Sequence, residues 1–477
     1  MVPATTAVAR QPAEVAEVAA LVDAGRFSAA EARIASALRE PVDMVDDQQV
    51  DRLEGLRFQR ERMRRILLDF PLDEAAAEAS LRSFIPDLAA EEMRTWEADG
   101  TLEHMAIDGE KRYFAGSVSN LFRLSPQARS RRTTPPDFQD GPMESLNDHH
   151  REIRAAARAS DQTSVAPRRL RVTQTLKVNA DAVPAGETVR AWIPFPRAVQ
   201  GQQDRIRLIS TEPARHQLAP GSTLQRTVFM EKPARAGQPT EFSVSYELRV
   251  HARDHRIDPQ RVVDARITPE LSEHLGERWP HIMFTPEIRA FSQQVVGEET
   301  NPYSVARKLF AAVDDIPWAG AREYSTISNI SQHALRTGHA DCGQQTLLLM
   351  TLLRLNGIPA RWQSGMVYSD GDYDNLHDWG QLYLAPYGWV PMDVTTGRLE
   401  EGAAEGLDSF YLGGLDAYRI VFNDDYGTPL YPAKQHARSE TVDSQRGEVE
   451  WRGGNLYFDQ WDYSFEAKVL AQDAASR

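Results

Sequence analysis

The stretch GHADCGQQTLLLMTLLRLNGIPARW, residues 338–362, decides how this chain is read. It holds Cys342, the only cysteine among 477 residues. Gly338 and Gly343 lie on either side of the cysteine and permit a tight backbone. Leu347 to Leu355 is almost wholly apolar, so a helix there is buried on most sides. Asn356-Gly357 closes that helix, and Ile358-Pro359 cannot continue it. The pattern predicts loop, cysteine, buried helix, glycine stop and strand. Cys342 then falls at a helix N-terminus, where unpaired N–H groups and the positive end of the dipole favour a thiolate.

A nucleophilic thiolate needs a base, and the base needs an orienting partner. His377 opens HDWGQLYLAPYGW, in which Trp379, Gln381, Tyr383 and Ala385 alternate as a strand would. A turn at Pro386-Tyr387-Gly388 leads into Trp389-Val390-Pro391-Met392-Asp393. The two runs form an antiparallel hairpin, with His377 near the start of one strand and Asp393 near the end of the other. Both residues therefore come out at the same end. Asp393 accepting from one imidazole nitrogen would fix the tautomer and leave the other nitrogen for the thiol.

These pieces resemble the core of the transglutaminase-like superfamily, a branch of the papain-like cysteine enzymes. The matching residues are Gly338-x-x-x-Cys342 with its apolar helix, Asn356-Gly357-Ile358-Pro359-Ala360-Arg361, His377 opening a strand, and Gly388-Trp389-Val390-Pro391-x-Asp393. Their order along the chain, Cys then His then Asp, matches as well. The resemblance covers residues 338–396 directly and, by implication, a domain from 256 onward. It implies Cys342 as nucleophile, His377 as general acid/base and Asp393 as orienter. Taken singly, Cys342 could be a small core residue, His377 a packed histidine and Asp393 a turn cap. Some relatives have lost the triad and act as binding modules, whereas all three positions are intact here.

The oxyanion of an acyl-transfer intermediate needs preorganised donors. The Cys342 backbone N–H is one. For the second, papain relatives use an upstream glutamine and transglutaminases an upstream tryptophan. Gln332 and, further back, Trp318 both precede Cys342. Neither spacing decides between them, and Gln332 is slightly preferred.

The rest of the chain sets bounds. Its length fits two to four domains. With 41% hydrophobic and 26% charged residues the composition is that of a globular protein. No apolar run approaches the ~18 residues of a membrane span. The 54 basic and 69 acidic residues give a net charge of −15, which disfavours nucleic acid as a partner. A single cysteine excludes intrachain disulfides and multi-cysteine zinc sites. It also excludes the paired Cys-x-x-Cys motifs of the peptide N-glycanases in the same superfamily. No cofactor or metal is expected. The N-terminus, MVPATTAVARQPAEVAEVAAL, carries no signal-peptide pattern. The resemblance points to the periplasm, cell envelope or secretion, with a cytoplasmic location left open.

Four regions follow from the patterning. Residues 1–125 are mostly helical and end in a hairpin around Asp108-Gly109. Pro41 separates the second helix from the third. Residues 126–165 read as a linker with a basic cluster at Arg129, Arg131 and Arg132, and His149-His150 read as a surface pair. Residues 166–255 alternate as strands and predict a β-sandwich domain. Residues 256–477 form the transglutaminase-like catalytic domain with an aromatic-rich C-terminal extension. The fold class is α+β, a papain-like core preceded by the sandwich and the helical domain. The loop Ser369-Asp370-Gly371-Asp372-Tyr373-Asp374-Asn375 resembles the start of a calcium loop but lacks the later glycine and glutamate, so a solvated acidic loop is expected. The expected function is hydrolysis of amide or peptide bonds in a peptide or protein substrate, through a thioester. A transglutaminase, ligase or cyclase using an amine acceptor is the alternative, and a silent binding module the second alternative. Substrate, oligomeric state and any calcium dependence are not legible.

Overall fold

The computed structural model describes residues 12–40, 46–134, 141–371 and 373–471. Pro41, the 135–140 part of the expected linker, Asp372 and the stretch MVPATTAVARQ lie outside the described residues. The chain divides into two compact units. One comprises Met1–Phe138, Glu277–Thr285 and Ile316–Gln344; the other comprises Gln139–Gly276, Pro286–Asp315 and Gln345–Arg477.

The first unit opens with helices α1 (Ala13–Asp23), α2 (Phe27–Ala37), α3 (Asp47–Asp69), α4 (Glu74–Phe84) and α5 (Ala90–Ala98). Val15, Val18 and Val22 share one face of α1 at helical spacing and meet Ile34, Leu56 and Ile66 in a common core. Asp46 caps α3 by accepting from the Gln48 and Gln49 N–H groups. The hairpin β1 (His104–Ile107) and β2 (Glu110–Tyr113) turns at Asp108 and Gly109, both at positive φ (47° and 90°). Asp108 also accepts from the Ser28 N–H at 3.0 Å, tying the turn to α2. Helices α6 (Ser117–Leu124) and α7 (Pro126–Arg131) follow.

Asp69, at the end of α3, accepts from the Thr326 hydroxyl at 2.9 Å and the Glu323 N–H at 3.2 Å. Burial pushes its carboxyl up to about 7 from an ordinary 3.8. Between those values the folded state keeps a proton that the unfolded chain releases. Stability therefore falls as pH rises from about 4 through about 7. Asp69→Asn keeps an acceptor and removes the titration. The thermal midpoint of the variant should drop less than that of the wild type between about pH 5 and about pH 8. An equal drop in the two proteins would refute the assignment.

The second unit opens with α8 (Asp148–Ser160) and the strands β3 (Ser164–Val178), β4 (Thr188–Pro194), β5 (Gln203–Glu212), β6 (His216–Leu218), β7 (Thr227–Pro233) and β8 (Thr240–Asp254). The segment expected as linker thus carries α7 and α8. The histidines expected at the surface are buried instead, His149 at 8% and His150 at 0% exposure. They share the buried face of α8 with Ile153 and Ala157.

Helices α9 (Pro269–Ser272), α10 (Pro286–Val296) and α11 (Pro302–Asp314) continue the second unit, and α12 (Ile330–Thr337) belongs to the first. Next come α13 (Cys342–Leu355), β9 (Ala360–Tyr368), β10 (Asp374–Leu384), β11 (Gly388–Met392), β12 (Gly414–Leu415), β13 (Arg419–Asn423), β14 (Glu448–Trp451), β15 (Gly454–Leu456) and β16 (Trp461–Leu470). The helix after the cysteine is buried as its composition demands: Leu347, Leu348, Leu349, Met350, Leu352 and Leu353 are each at most 1% exposed.

Strands β11, β10, β9 and β13 form, in that order, an antiparallel four-stranded sheet. Two five-stranded sheets make the sandwich, one ordered β12-β8-β3-β16 with β5 also paired to β8, the other ordered β15-β14-β4-β7-β6. The 166–255 segment therefore does not complete the sandwich alone. The C-terminal extension supplies β12, β14, β15 and β16, and β16 runs along β3 from Trp461↔Val178 to Leu470↔Arg169. Without these strands β3 and β4 would present bare, aggregation-prone edges. The sandwich core also takes in Met366, Tyr368, Ile420 and Phe422 from β9 and β13. Sandwich and four-stranded sheet thus share one apolar interior.

Candidate active site

Cys342 is the first residue of α13 and is partly exposed. Asp341 caps the helix. Its Oδ1 accepts from the Gln344 N–H at 3.1 Å, and Gln344 Oε1 accepts from the Asp341 N–H at 3.2 Å. This reciprocal capping box was readable as Asp-x-x-Gln at 341–344 and was missed. The Tyr324 hydroxyl donates to Asp341 at 2.7 Å. Burial pushes the Asp341 carboxyl up to about 6.

Of the two oxyanion candidates, Trp318 is bridged in parallel to Ala340, just before the cysteine. The bonds are Ala319 N–H to Ala340 O at 3.1 Å and Ala340 N–H to Pro317 O at 3.1 Å. Arg123 lies 4.3 Å over the Trp318 ring. Gln332 sits in the first turn of α12, where its N–H donates to Asn329 Oδ1 at 3.0 Å.

His377 lies on β10, in register with Gly365 on β9. Asp393 follows β11, whose Met392 pairs with Gly380 on β10, so both residues come out at one end of the hairpin. The His377 Nε2–H donates to Asp393 Oδ2 at 2.8 Å. The His377 side chain keeps 12% exposure while Asp393 is fully buried.

The Asp393 carboxylate is held from several sides. Its Oδ1 accepts from the backbone N–H groups of Thr395 (3.1 Å) and Thr396 (3.0 Å), and its Oδ2 from the Thr396 hydroxyl (2.8 Å). Arg419 Nη1 also donates to Oδ2. Burial by itself would raise this carboxyl. The Arg419 guanidinium and the His377 imidazole outweigh that and hold it well below the usual carboxylate range.

Behind Asp393 the network continues. Arg419 Nε donates to Asp416 at 2.8 Å, and the Tyr411 hydroxyl donates to Asp416 at 2.9 Å. His150 Nε2 in turn reaches the Tyr411 hydroxyl at 2.9 Å. Asn147 N–H donates to His150 Nδ1 at 3.2 Å, which makes Nε2 the protonated nitrogen. Arg419 and Asp416 carried no recognisable motif in LDAYRIVFN; the only signal was two opposite charges within an apolar stretch.

Two bonds tie α13 to the His377–Asp393 hairpin. The Thr346 hydroxyl donates to the Asp378 carbonyl at 3.3 Å, next to His377. The Thr395 hydroxyl donates to Gln345 Oε1 at 2.7 Å, just past Asp393. In the loop before His377, Asp370 accepts from the Tyr418 hydroxyl at 2.5 Å. Among the described residues no group of three or more His, Cys, Asp or Glu could hold a metal ion. Among them, too, no helix is long and apolar enough to cross a membrane.

Residues 289–394 match the family model of the transglutaminase-like superfamily, a span that contains Cys342, His377 and Asp393. The chain carries a transglutaminase-like core. A protein of Haemophilus influenzae recorded as uncharacterized is 24% identical over 213 residues, covering 36% of this chain and 56% of its own length. The YebA protein of Bacillus subtilis, also recorded as uncharacterized, is 24% identical over 203 residues, covering 37% of this chain and 26% of its own. The chain thus spans about half of the first relative and about a quarter of the second. Among solved structures, a protein of Cytophaga hutchinsonii described as a candidate cysteine protease is 12% identical, at a TM-score of 0.42 over 65% of this chain and 94% of that one. The periplasmic domain of TgpA from Pseudomonas aeruginosa is 15% identical, at a TM-score of 0.28 over 52% of this chain and 97% of that one.

Proposed function

We propose that this protein is a cysteine-dependent acyl-transfer enzyme that hydrolyses amide or peptide bonds through a Cys342–His377–Asp393 triad. The observation that carries the reading is the His377–Asp393 pair. A fully buried carboxylate fixes Nε2 as the protonated nitrogen, so Nδ1 is the basic one. Cys342 supports it from the first position of α13. Thr346, one turn further along the same helix face, is bonded beside His377, and Gln345 is bonded beside Asp393.

In the proposed reaction the thiol proton passes to His377 Nδ1 as sulfur attacks the carbonyl carbon. The same proton then goes to the leaving amine as the C–N bond breaks, leaving a thioester. Water resolves the thioester: His377 takes its proton, the acid departs, and the thiol is restored. Asp393 stabilises the imidazolium throughout without taking the proton. The substrate is proposed to be a peptide or protein, and the place of action the periplasm or cell envelope.

An amine in place of water would give transglutaminase, ligase or cyclase chemistry. Incubation with glutamine-containing peptides, with and without a primary amine, separates the two outcomes by product mass. Cleaved or deamidated product that persists in excess amine supports hydrolysis. Predominant amine adducts overturn it in favour of transfer. Absence of any Cys342-dependent product from a broad peptide library would favour the binding-module reading.

For the oxyanion, the bridge to Ala340 favours Trp318 over Gln332. Trp318→Phe keeps an aromatic ring and removes the N–H donor, and should slow acylation by about 10²-fold. Gln332→Ala should leave the rate nearly unchanged. The opposite ranking would return the role to Gln332.

A further inference from the structure

We propose that Arg419 is a positioning residue of this site, clamping the Asp393 carboxylate beneath His377; the proposal rests on the triad reading above. Arg419 does not form the usual fork on one carboxylate. It bridges two: Nη1 donates to Asp393, and Nε to Asp416 at 2.8 Å. Its Nη2 donates at 2.9 Å to the Thr396 hydroxyl, which itself donates to Asp393 at 2.8 Å. Asp393 and Asp416 are fully buried, Arg419 is 1% and Thr396 8% exposed. The planar guanidinium meets three acceptors at once, which the point charge of a lysine cannot do.

The clamp has an electrostatic consequence. A buried carboxylate without a counter-charge takes up a proton. A protonated Asp393 could not stabilise an imidazolium. The charged groups facing Asp393 are His377 from β10, Arg419 from β13 and Asp416 just before it. Tyr411 adjoins them, and His150 from α8 is reached through the Tyr411 hydroxyl. Burial lowers the His150 imidazole to about 4, so it adds no charge near neutrality. Two buried aspartates and one arginine leave one negative charge among these three groups, and His149 from α8 also faces Asp416. An imidazolium at His377 neutralises that charge. The cluster therefore presents a fixed negative charge to the ring that takes up the thiol proton.

The test needs no natural substrate. The rate of Cys342 alkylation by iodoacetamide, read by intact mass, is followed from about pH 4 to about pH 9 in the wild type, His377→Ala, Arg419→Gln and Arg419→Lys. Arg419→Gln should slow alkylation near neutrality by on the order of 10-fold or more, and its acid limb should steepen and move up as Asp393 protonates in the same range. Arg419→Lys, which keeps the charge but cannot reach the three acceptors at once, should return the acid limb while restoring only part of the rate. A folded Arg419→Gln with the wild-type rate and acid limb overturns the proposal.

Should Arg419→Gln fail to fold, a carboxyl-carbon NMR titration of aspartate-labelled wild type decides, with Asp393→Asn assigning the signal. Asp393 ionised throughout about pH 4 to about pH 8 is the expected result. A titration inside that window overturns the proposal. If instead His377→Ala is alkylated like the wild type, the triad reading fails, while the NMR result still reports whether Asp393 keeps its charge, and the same titration in Arg419→Lys reports whether the guanidinium is what holds it.

Discussion

His377→Ala should slow alkylation of Cys342 at about pH 6 by on the order of 10²-fold or more. An unassisted thiol is almost wholly protonated at that pH, because its ordinary value lies near about 8.5. A helix N-terminus helps an anion by only about 0.3–1 kcal/mol when exposed, up to about 2 in partly buried settings. Proton transfer to the imidazole must supply the rest, and the buried Asp393 makes the imidazolium a good resting place for that proton. Asp393→Asn should show most of the same loss, since an amide can offer its N–H side to Nε2 and reverse the tautomer. Both losses should shrink as pH approaches the ordinary thiol value, where the thiolate forms without help. Rapid labelling that survives His377→Ala would remove the base from the mechanism. Slow labelling in the wild type and the variant alike would mean an inert thiol, and would move the assignment to a binding module.

The transglutaminase-like core was legible because its signals are local. Leu347–Leu355 is too apolar to be anything but buried, Asn356-Gly357 stops the helix, and the alternation of Trp379, Gln381 and Tyr383 sets β10. The turn at 386–388 then forces His377 and Asp393 to one end of the hairpin. What was missed depends on partners far along the chain. His149 and His150 read as polar surface because Ala417 and Tyr411, which bond their ring nitrogens, belong to the distant C-terminal extension. Arg419 resembles any charged strand opening until Asp393 and Asp416 are seen around it. The extension beyond 400 read only as an aromatic-rich addition to the core, since strand patterning gives no information on which sheet a strand joins. Pairing of β14 with β4 and of β16 with β3 is decided by unfilled edges far upstream, on the other side of the whole transglutaminase-like core in sequence.

Gly365→Ala should cost about 3 kcal/mol or more, the upper end for overpacking, and should impair the site as well as the fold. A Cβ at this position would lie 1.9 Å from the Ile420 carbonyl oxygen and 3.1 Å from the Phe422 nitrogen. Both obstacles are backbone, so no side chain can rotate away. The strain must be relieved by moving β13 off β9, and β13 is anchored in the shared core by Ile420 and Phe422. Its first residue is Arg419, which would be drawn from Asp393. Gly365 is also in register with His377, and Gln445 Nε2 joins their carbonyls, donating to Gly365 O at 3.1 Å and His377 O at 2.9 Å. One methyl group therefore acts on both the base and the clamp behind its partner. Gly221→Ala is the control: nothing lies within 4 Å of its Cβ. That change should stay within about 0.5 kcal/mol. Urea midpoints and alkylation rates of the two variants make the comparison. Equal midpoints would mean that β9 and β13 sit further apart than the geometry gives. A lower midpoint with an unchanged alkylation rate would mean that strand spacing bears on stability alone.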